Sequence, residues 1–402
     1  MSTASLLIEL GTEELPPSSL AKLGLALRDG IVAALAGHSL RVHGEAQWYA
    51  TPRRFAVVIE AVDARAASAT ISTLGPPADK ARTESGDWSP AALGFARKQG
   101  VEPHQLQEID TDKGRRLGLQ QVQAGADVRD VLIEVINSSI AALPIAKRMR
   151  WGSSRVEFVR PAHWVVALVD DEVVPGEVLG IATGRTTRGH RVHGNHEIVL
   201  ARPGDYVAAL EAAFVVPGFA HRRQMIRDQV EVEASALNAQ AVIDENLLDE
   251  VTGLVEWPVA LTGSFEPRFL EVPAEALISS MKEHQKYFHL VDANDRLLPH
   301  FITVSNIQSK DPAQVIAGNE RVIRARLGDA AFFYEQDRKH TLASRVQSLQ
   351  RVVFQKDLGT LYDKSIRLQG LARELAKIVN ADPRQCERAA ELSKTDLVSE
   401  MV

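Results

Sequence analysis

The sequence predicts a multidomain α+β protein. An N-terminal α/β unit is followed by a central mixed α/β region with antiparallel hairpins and then by an all-helical portion. Three observations lead there. A chain of 402 residues is too long for one simple core, so two to four domains are expected. Strand-like runs alternate with helical stripes over the first three-quarters of the chain. Beyond Asp311 the strand pattern stops, and apolar residues recur at spacings of three and four.

Leu6 to Leu10 reads as a short buried strand. Pro16-Pro17 punctuates it, and Ser18 or Ser19 is placed to cap a helix with the stripe Leu20, Leu23, Leu27, Ile31 and Leu35. Trp48-Tyr49 and Phe55 to Val62 read as strands on either side of a Thr51-Pro52-Arg53-Arg54 turn. These make up a unit over 1–65. In a segment 66–150, the stretch Ala64 to Asp87 is rich in Ala, Ser, Gly and Pro and is expected to be extended loop. Ser89-Pro90 starts a helix ending near Gly100, and Asp127 to Leu143 forms another that Pro144 stops.

A central domain is expected over 151–310. Trp164 to Val169, a turn at Asp170-Asp171-Glu172, and Val173 to Ile181 read as a hairpin whose second strand Pro175 demotes to an edge. Helices follow at Asp205 to Phe214, Phe219 to Leu237 and Asn246 to Val255, then a strand at Val259 to Thr262. Ala274 to Lys282 is helical, and Lys286 to Val291 pairs with Leu297 to Ser305 around an Asp292 to Asp295 turn. Over 311–402, helices are expected near 312–326, 329–350, 359–379 and 384–402. The last is still periodic at its final residue, so the chain is expected to be a fragment of a longer protein, with fraying over 393–402.

Composition narrows the function. The hydrophobic share of 45% and charged share of 24% are those of a soluble globular chain. No apolar run is long enough to cross a membrane, and no signal-peptide pattern opens the chain. The single Cys386 excludes an internal disulfide and a cysteine-based zinc site. A cytoplasmic, non-membrane protein is expected. With a net charge of −6 the chain is no general polycation, so nucleic acid would need local basic surfaces. Pro144 to His163 offers one, with Lys147, Arg148, Arg150, Arg155 and Arg160 against the single acid Glu157. Arg321, Arg324 and Arg326 offer a second; solvated faces are the competing reading for both.

Motifs for self-contained catalysis are missing. There is no Gly-x-x-x-x-Gly-Lys, Gly-x-Gly-x-x-Gly, Gly-x-Ser-x-Gly or His-Glu-x-x-His. His190, His193 and His196 would fan round zinc on a helix, but Gly189 and Gly194 point to loop or strand. A hydrogen-bonding or backbone-positioning role suits His190 better. Glu13 and Glu14 are expected to hold backbone amides or a basic neighbour such as Arg53 or Arg54 rather than to move protons. In Met281 to Phe288, Lys282, His284, Gln285 and Lys286 supply donors beside the rings of Tyr287 and Phe288. Cations and rings together suit a single-stranded RNA end. Core packing competes and is favoured for Phe288.

Seven motifs carry a resemblance. They are Ile8-Glu-Leu-Gly-Thr-Glu-Glu-Leu-Pro-Pro17, Tyr49-Ala-Thr-Pro-Arg-Arg-Phe55, Met149-Arg-Trp-Gly152, Phe158-Val-Arg-Pro161, Arg188-Gly-His-Arg191, Glu256-Trp-Pro258 and Met281-Lys-Glu-His-Gln-Lys-Tyr-Phe288. In this order and spacing the chain resembles the β subunit of bacterial heterotetrameric glycyl-tRNA synthetases, from about residue 5 to its last. The resemblance implies an α2β2 assembly in which this chain recognises the tRNA for glycine and supports a catalytic α subunit. ATP and Mg would bind on that α subunit. This chain would carry no catalytic residue, metal or cofactor.

The central portion is similar to the B3/B4 module of the phenylalanyl-tRNA synthetase β chain. The C-terminal helices are similar to the start of an HD-type phosphohydrolase domain, with Leu392-Ser-Lys-Thr-Asp-Leu397 at its metal-binding pair. Asp396 is present, but Thr395 stands where a histidine ligand is needed, and its loss removes much of the metal affinity. The family's anticodon-binding domain would lie beyond residue 402. Candidate tRNA contacts are Lys147, Arg148, Arg150, Arg160, Arg188, His190, Arg191, Lys282, Lys286, Arg321, Arg324 and Arg326. Two rival readings are an HD-type metal-dependent phosphohydrolase and a protein-interaction scaffold with no RNA role.

Overall fold

A computed structural model describes residues 2–83, 86–112, 114–194 and 196–402, without the side chains at 69, 71 and 123. The chain divides into two compact units, Met1–Arg222 with Thr252–Trp257, and Arg223–Val251 with Pro258–Val402.

The first unit is organised by a strand buried on both faces. In β1 (Thr3–Thr12), Leu6, Ile8 and Leu10 point into one apolar cluster and Leu7 into another. Two-sided burial explains why this stretch reads as a continuous apolar run rather than an alternation. Helix α1 (Leu20–Gly37) covers one face with the expected stripe Leu20, Leu23, Leu27, Ile31 and Leu35. Ser19 is its N-cap residue, though its side chain makes no capping bond. Strands β2 (Ala46–Thr51) and β3 (Arg54–Asp63) flank the expected turn at Pro52-Arg53 and pair antiparallel. β3 also pairs antiparallel with β1.

The stretch expected as loop instead contains β4 (Ala69–Pro77). Helix α2 (Pro90–Gln99) follows, capped by the Ser89 hydroxyl, which accepts from the Ala92 amide at 3.2 Å. Gly100 ends it at φ +69°, the left-handed cap that glycine tolerates. Strands β5 (Gln107–Ile109) and β6 (Arg116–Gln123) complete a three-stranded sheet in the order β4-β6-β5. Positions 84 and 85 of the expected loop lie outside the described residues. Thr70 to Leu74 is a short β-competent run whose partner lies some fifty residues away, and the flanking glycine and prolines hid it.

Helix α3 (Val128–Ala141), capped by Asp127, lies beside α1 on the same face of the large sheet. The next strands are β7 (Met149–Arg150), β8 (Glu157–Phe158), β9 (Ala162–Val169), β10 (Glu172–Val173), β11 (Glu177–Val178) and β12 (Ile181–Gly184). β9 joins β1 on the edge opposite β3, giving the order β11-β12-β9-β1-β3-β2 with β10 also on β9. The expected hairpin is thus real only for two residues. The chain breaks around Pro175 and returns as β12, which runs parallel to β9. β13 (Thr186–Arg188) pairs with β14 (Glu197–Val199), and α4 (Tyr206–Ala212) covers the second face through Tyr206 and Leu210.

The division between units cuts α5 (Phe219–Ala236) after Arg222 and α6 (Glu245–Thr252) after Val251. In the second unit β15 (Gln240–Ala241), β16 (Val259–Ser264), β17 (Phe288–Val291) and β18 (Leu297–Ser305) form an antiparallel sheet in the order β15-β17-β18-β16. Helix α7 (Ala274–Ser279) passes into a π-helical turn at Ser280–His284. Its Leu277 and Met281 pack with Ile323 and Leu327 of α8 (Pro312–Arg338). α8 is one unbroken helix, where two were expected. The region expected as helix to residue 350 holds α9 (Leu342–Arg345) and a 3-10 turn, then a small hairpin of β19 (Val353–Gln355) and β20 (Gly359–Thr360). α10 (Leu361–Ile378) and α11 (Pro383–Leu392) follow. The helix expected to run to the final residue stops at Leu392. The amides of Glu400 and Met401 donate to Asp337 at 2.8 and 3.1 Å.

Two glycines test how packing competes with helix propensity. A Cβ on Gly24 of α1 would stand 2.6 Å from the Trp48 ring, whereas one on Gly94 of α2 would meet nothing within 4 Å. Propensity favours alanine by about 1 kcal/mol at both, but overpacking costs about 1–3 kcal/mol. Urea unfolding should therefore show Gly94→Ala stabilised by up to about 1 kcal/mol and Gly24→Ala destabilised by about 1 kcal/mol. Stabilisation of both would show that Trp48 yields.

Candidate functional site

Five of the seven motifs meet at one end of the β1, β3 and β9 strands. Backbone bonds bring them together: Thr12 donates to the Arg53 carbonyl at 2.8 Å, Glu13 to Pro161 at 2.9 Å, and Leu15 to Pro52 at 2.6 Å. Beneath this junction lies a buried ionic network. The Arg54 guanidinium is fully buried and sits between Glu9 and Glu256, themselves buried. Its Nε and Nη2 donate to Glu256 Oε1 at 3.3 Å each, and its Nη1 stands 3.5 Å from Glu9 Oε1. Thr51 donates to Glu256 at 2.7 Å, while Thr187 and the Trp164 indole N–H donate to Glu9 at 2.7 and 2.8 Å.

Glycine makes room for this arrangement. A Cβ on Gly11 would fall 1.9 Å from the Trp164 ring, so the indole reaches Glu9 only because position 11 has none. The Arg54 and Arg188 guanidinium groups lie 5.6 and 5.2 Å from the centre of that ring. One arginine thus serves two carboxylates, and their proton affinities separate. Burial drives Glu9 above its ordinary range, and Arg54 only partly offsets it. Burial also opposes ionisation of Glu256, but Arg54 and the Thr51 hydroxyl outweigh it and hold that carboxyl below its ordinary range.

His190 is buried as well. Its Nδ1 accepts from the amides of Val192 and His193, both at 3.2 Å, which assigns the neutral ring proton to Nε2. The turn around it is closed by Gly189 and Gly194, each tight against neighbouring backbone. This is the backbone-positioning role expected of His190. From it a row of rings runs outward: His193 at 5.1 Å, Phe214 at a further 5.1 Å and Trp257 at a further 5.3 Å. Phe214 has φ +62°, an uncommon backbone setting for a non-glycine residue. Arg222, also fully buried, donates to the carbonyls of Ala50, Val216 and Thr252 at 2.7, 2.6 and 3.1 Å. Burial pushes it down to about 9.

At the rim the charges are matched. Glu13 bonds His163 at 2.8 Å and Arg191 at 3.1 Å, and Arg191 lies 3.6 Å from Glu14. Burial works against ionisation of Glu13, but those two partners outweigh it and hold its carboxyl low. The expected partners of Glu13 and Glu14, Arg53 and Arg54, are thus replaced by His163 and Arg191, because Arg54 turns inward.

The candidate cations fare differently. Arg150 is paired with Glu157 at 2.6 Å, Lys282 with Asp244 at 2.8 Å, Lys286 with Glu250 at 2.9 Å and Arg324 with Glu266 at 2.7 Å. Arg148 and Arg160 donate to backbone carbonyls, Ala141 for the first and Glu14 and Val159 for the second. Arg188 lies over Trp164. Lys147, Arg321 and Arg326 are exposed and make no ion pair among the described residues. Tyr287 and Phe288 are buried, with Tyr287 stacked on Phe301 at 4.5 Å; core packing, the reading favoured for Phe288, holds for both rings. Among the described residues no group of three or more His, Cys, Asp and Glu side chains could hold a metal ion. No helix of the described residues is long and apolar enough to cross a membrane.

Sequence reasoning missed Glu9, Trp164, Thr187 and Arg222. A glutamate inside an apolar strand was the one available signal, since an ionisable residue there demands a partner.

The family profile described as glycyl-tRNA synthetase beta subunit matches residues 6–402. The chain belongs to that family. Among curated relatives, the glycine–tRNA ligase beta subunit of Chromohalobacter salexigens is 53% identical over 402 residues. Those of Marinobacter nauticus and Hahella chejuensis are 50% and 49% identical over 404 and 403 residues. Each alignment takes in 100% of this chain and 58% of the relative, so the chain spans less than two thirds of their length.

The network predicts unequal costs for its two acids. Glu256 lies below its ordinary value of 4.5 when folded, so its contribution is full above that pH and lost as pH falls through the folded value. Glu9 lies above 4.5, so its contribution is full below that pH and lost as pH rises through the folded value. At pH 7, Glu256→Gln should cost roughly 3 kcal/mol and Glu9→Gln about 1 kcal/mol. The gap should narrow towards pH 4. Chemical denaturation across this range measures it, and a larger cost for Glu9→Gln at pH 7 contradicts the assignment.

Proposed function

We propose that this chain acts within a glycyl-tRNA synthetase as its non-catalytic β component. It recognises the tRNA for glycine and supports a separate α subunit in an α2β2 assembly. Glycine is activated with ATP, with Mg present, on the α subunit and then transferred to the tRNA. The observation that carries this is the family match across residues 6–402, together with relatives named as a beta subunit of glycine–tRNA ligase. A beta subunit implies a partner.

The motif-rich end of the first unit supports a non-catalytic role. Its acids and bases are matched to one another, and its most unusual groups are buried. The helical region after Asp311 is read as the start of an HD-like domain turned to scaffold use. Thr395, at the expected histidine position, is fully buried, and its hydroxyl donates to the Leu392 carbonyl at 2.8 Å. That hydroxyl serves the local backbone and does not replace an imidazole ligand. The central sheet of β15 to β18 is read as B3/B4-like, in a cytoplasmic enzyme.

Glycyl-tRNA formation tests the proposal, using a full-length β chain, its α subunit and the mixture. Only the mixture should be active. Activity from the β chain alone would overturn the non-catalytic reading, and an inactive mixture of folded subunits would favour a scaffold.

Salt dependence tests the first basic segment. Each lost phosphate contact lowers the slope of log affinity against log salt by about 0.7–0.9. Arg148→Ala with Arg150→Ala should therefore reduce the tRNA-binding slope by about 1–2. An unchanged slope removes Pro144 to His163 from the RNA surface.

A further inference from the structure

One residue from each of two stretches singled out for RNA, His284 of Met281 to Phe288 and Arg326 of Arg321 to Arg326, lines a pocket of about 310 Å³ in the second unit. It lies beside the packed pair of α7 and α8, whose shared core is Leu277, Met281, Ile323 and Leu327. One wall is Ser279, Ser280 and His284, at the junction of α7 with the π-helical turn. The other is Arg326, Asp329 and Phe333, which recur at three and four on one face of α8.

The π turn sets this geometry. It widens the helix by one residue per turn, an uncommon arrangement that clusters at functional sites. Its exit is constrained: the Tyr287 amide donates to the Met281 carbonyl at 3.0 Å, and Lys286 itself takes a positive φ of +61°. Lys282 and Lys286, the expected cations of this stretch, are drawn away to Asp244 and Glu250. His284 and the two serines are left on the pocket side.

The lining chemistry is specific. Arg326 makes no ion pair among the described residues, whereas its neighbour Arg324 is committed to Glu266. A guanidinium, an imidazole and two hydroxyls can all donate to phosphate oxygens. Phe333 is 37% exposed and presents a ring on which a base can stack. Asp329 supplies a carboxylate that accepts from ribose hydroxyls, the group distinguishing RNA from DNA. We propose that the pocket walled by Ser279, Ser280, His284, Arg326, Asp329 and Phe333 binds one unpaired nucleotide of a single-stranded RNA segment, with Phe333 under the base and Arg326 on the phosphate. This rests on the reading that the chain binds RNA. It adds a place and a form, a splayed-out nucleotide rather than a duplex.

The test uses the full-length chain with its α subunit, a fluorescent single-stranded oligoribonucleotide, the intact tRNA, and AMP as competitor. Arg326→Ala with Phe333→Ala should weaken oligonucleotide binding about tenfold or more, with the salt slope lower by about 1. Phe333→Tyr should keep wild-type affinity, because it keeps the ring. Phe333 is only 37% exposed, so its truncation to alanine should lower the urea midpoint, whereas Arg326→Ala and Phe333→Tyr should leave it near wild type. The salt slope of Arg326→Ala alone and the affinity of Phe333→Tyr therefore separate lost contacts from lost folding. If wild type binds tRNA and oligonucleotide but the double variant binds both unchanged, the pocket is overturned while the RNA role stands. If wild type binds neither RNA, that role and the pocket fall together. If AMP competes as well as the oligonucleotide, the pocket takes free mononucleotides and the RNA assignment is overturned.

Discussion

The first unit depends on a single guanidinium with nowhere to go. Arg54 enters the interior at the start of β3 and finds Glu9 of β1 on one side and Glu256 on the other. Those positions lie as far apart as 247 residues in sequence (256 − 9), so the pairing fixes long-range topology rather than local shape. Such a network gains little over a well-packed apolar core, because desolvating Arg54 and the carboxyl groups beside it offsets most of the attraction. Its effect is specificity. Any arrangement leaving Arg54 or Glu256 unpaired in the interior costs about 3–5 kcal/mol. That excludes alternative placements of the Thr252–Trp257 segment, which Arg222 then holds at the Thr252 carbonyl.

This constraint explains why the motifs are so dense at this end of the first unit. Gly11 is small because Trp164 lies against it, and Trp164 is there to donate to Glu9. Thr51 and Thr187 supply hydroxyls to the carboxylates, and His190 fastens a glycine-edged turn through Nδ1. Unusual residues accumulate where buried charge must be satisfied atom by atom. Free cations lie elsewhere. Among the described residues Lys147, Arg321 and Arg326 are exposed and make no ion pair, and Arg326 shares a pocket with a histidine, two hydroxyls and a ring.

Much of the local architecture was legible in the sequence. The α1 stripe, the Ser89 cap, the Gly100 terminator and the β17–β18 hairpin all follow from short-range rules. What escaped was decided at long range. β4 and β6 stabilise each other across an intervening helix, so neither looked like a strand alone. The break after β10 comes from Pro175, but the parallel return of β12 on β9 has no local signature. In α10 the periodicity is real, yet Leu371, Leu375 and Ile378 face solvent while Ser365 and Ala376 are buried. The charged groups were the hardest to place. Sequence named Lys282 and Lys286 as candidate RNA contacts; folding places Asp244 and Glu250 beside them, a pairing that no local pattern announces.

The most direct test of this account is a double-mutant cycle between Arg54 and Glu256, each replaced by leucine singly and together, with stability measured by urea unfolding at pH 7. A pairing that fixes the fold predicts heavily destabilised single variants and a double variant that recovers part of the loss, with a coupling of about 2 kcal/mol or more. Additive single effects, with coupling under about 0.5 kcal/mol, would contradict it and leave apolar packing around β1 as the organiser of the unit.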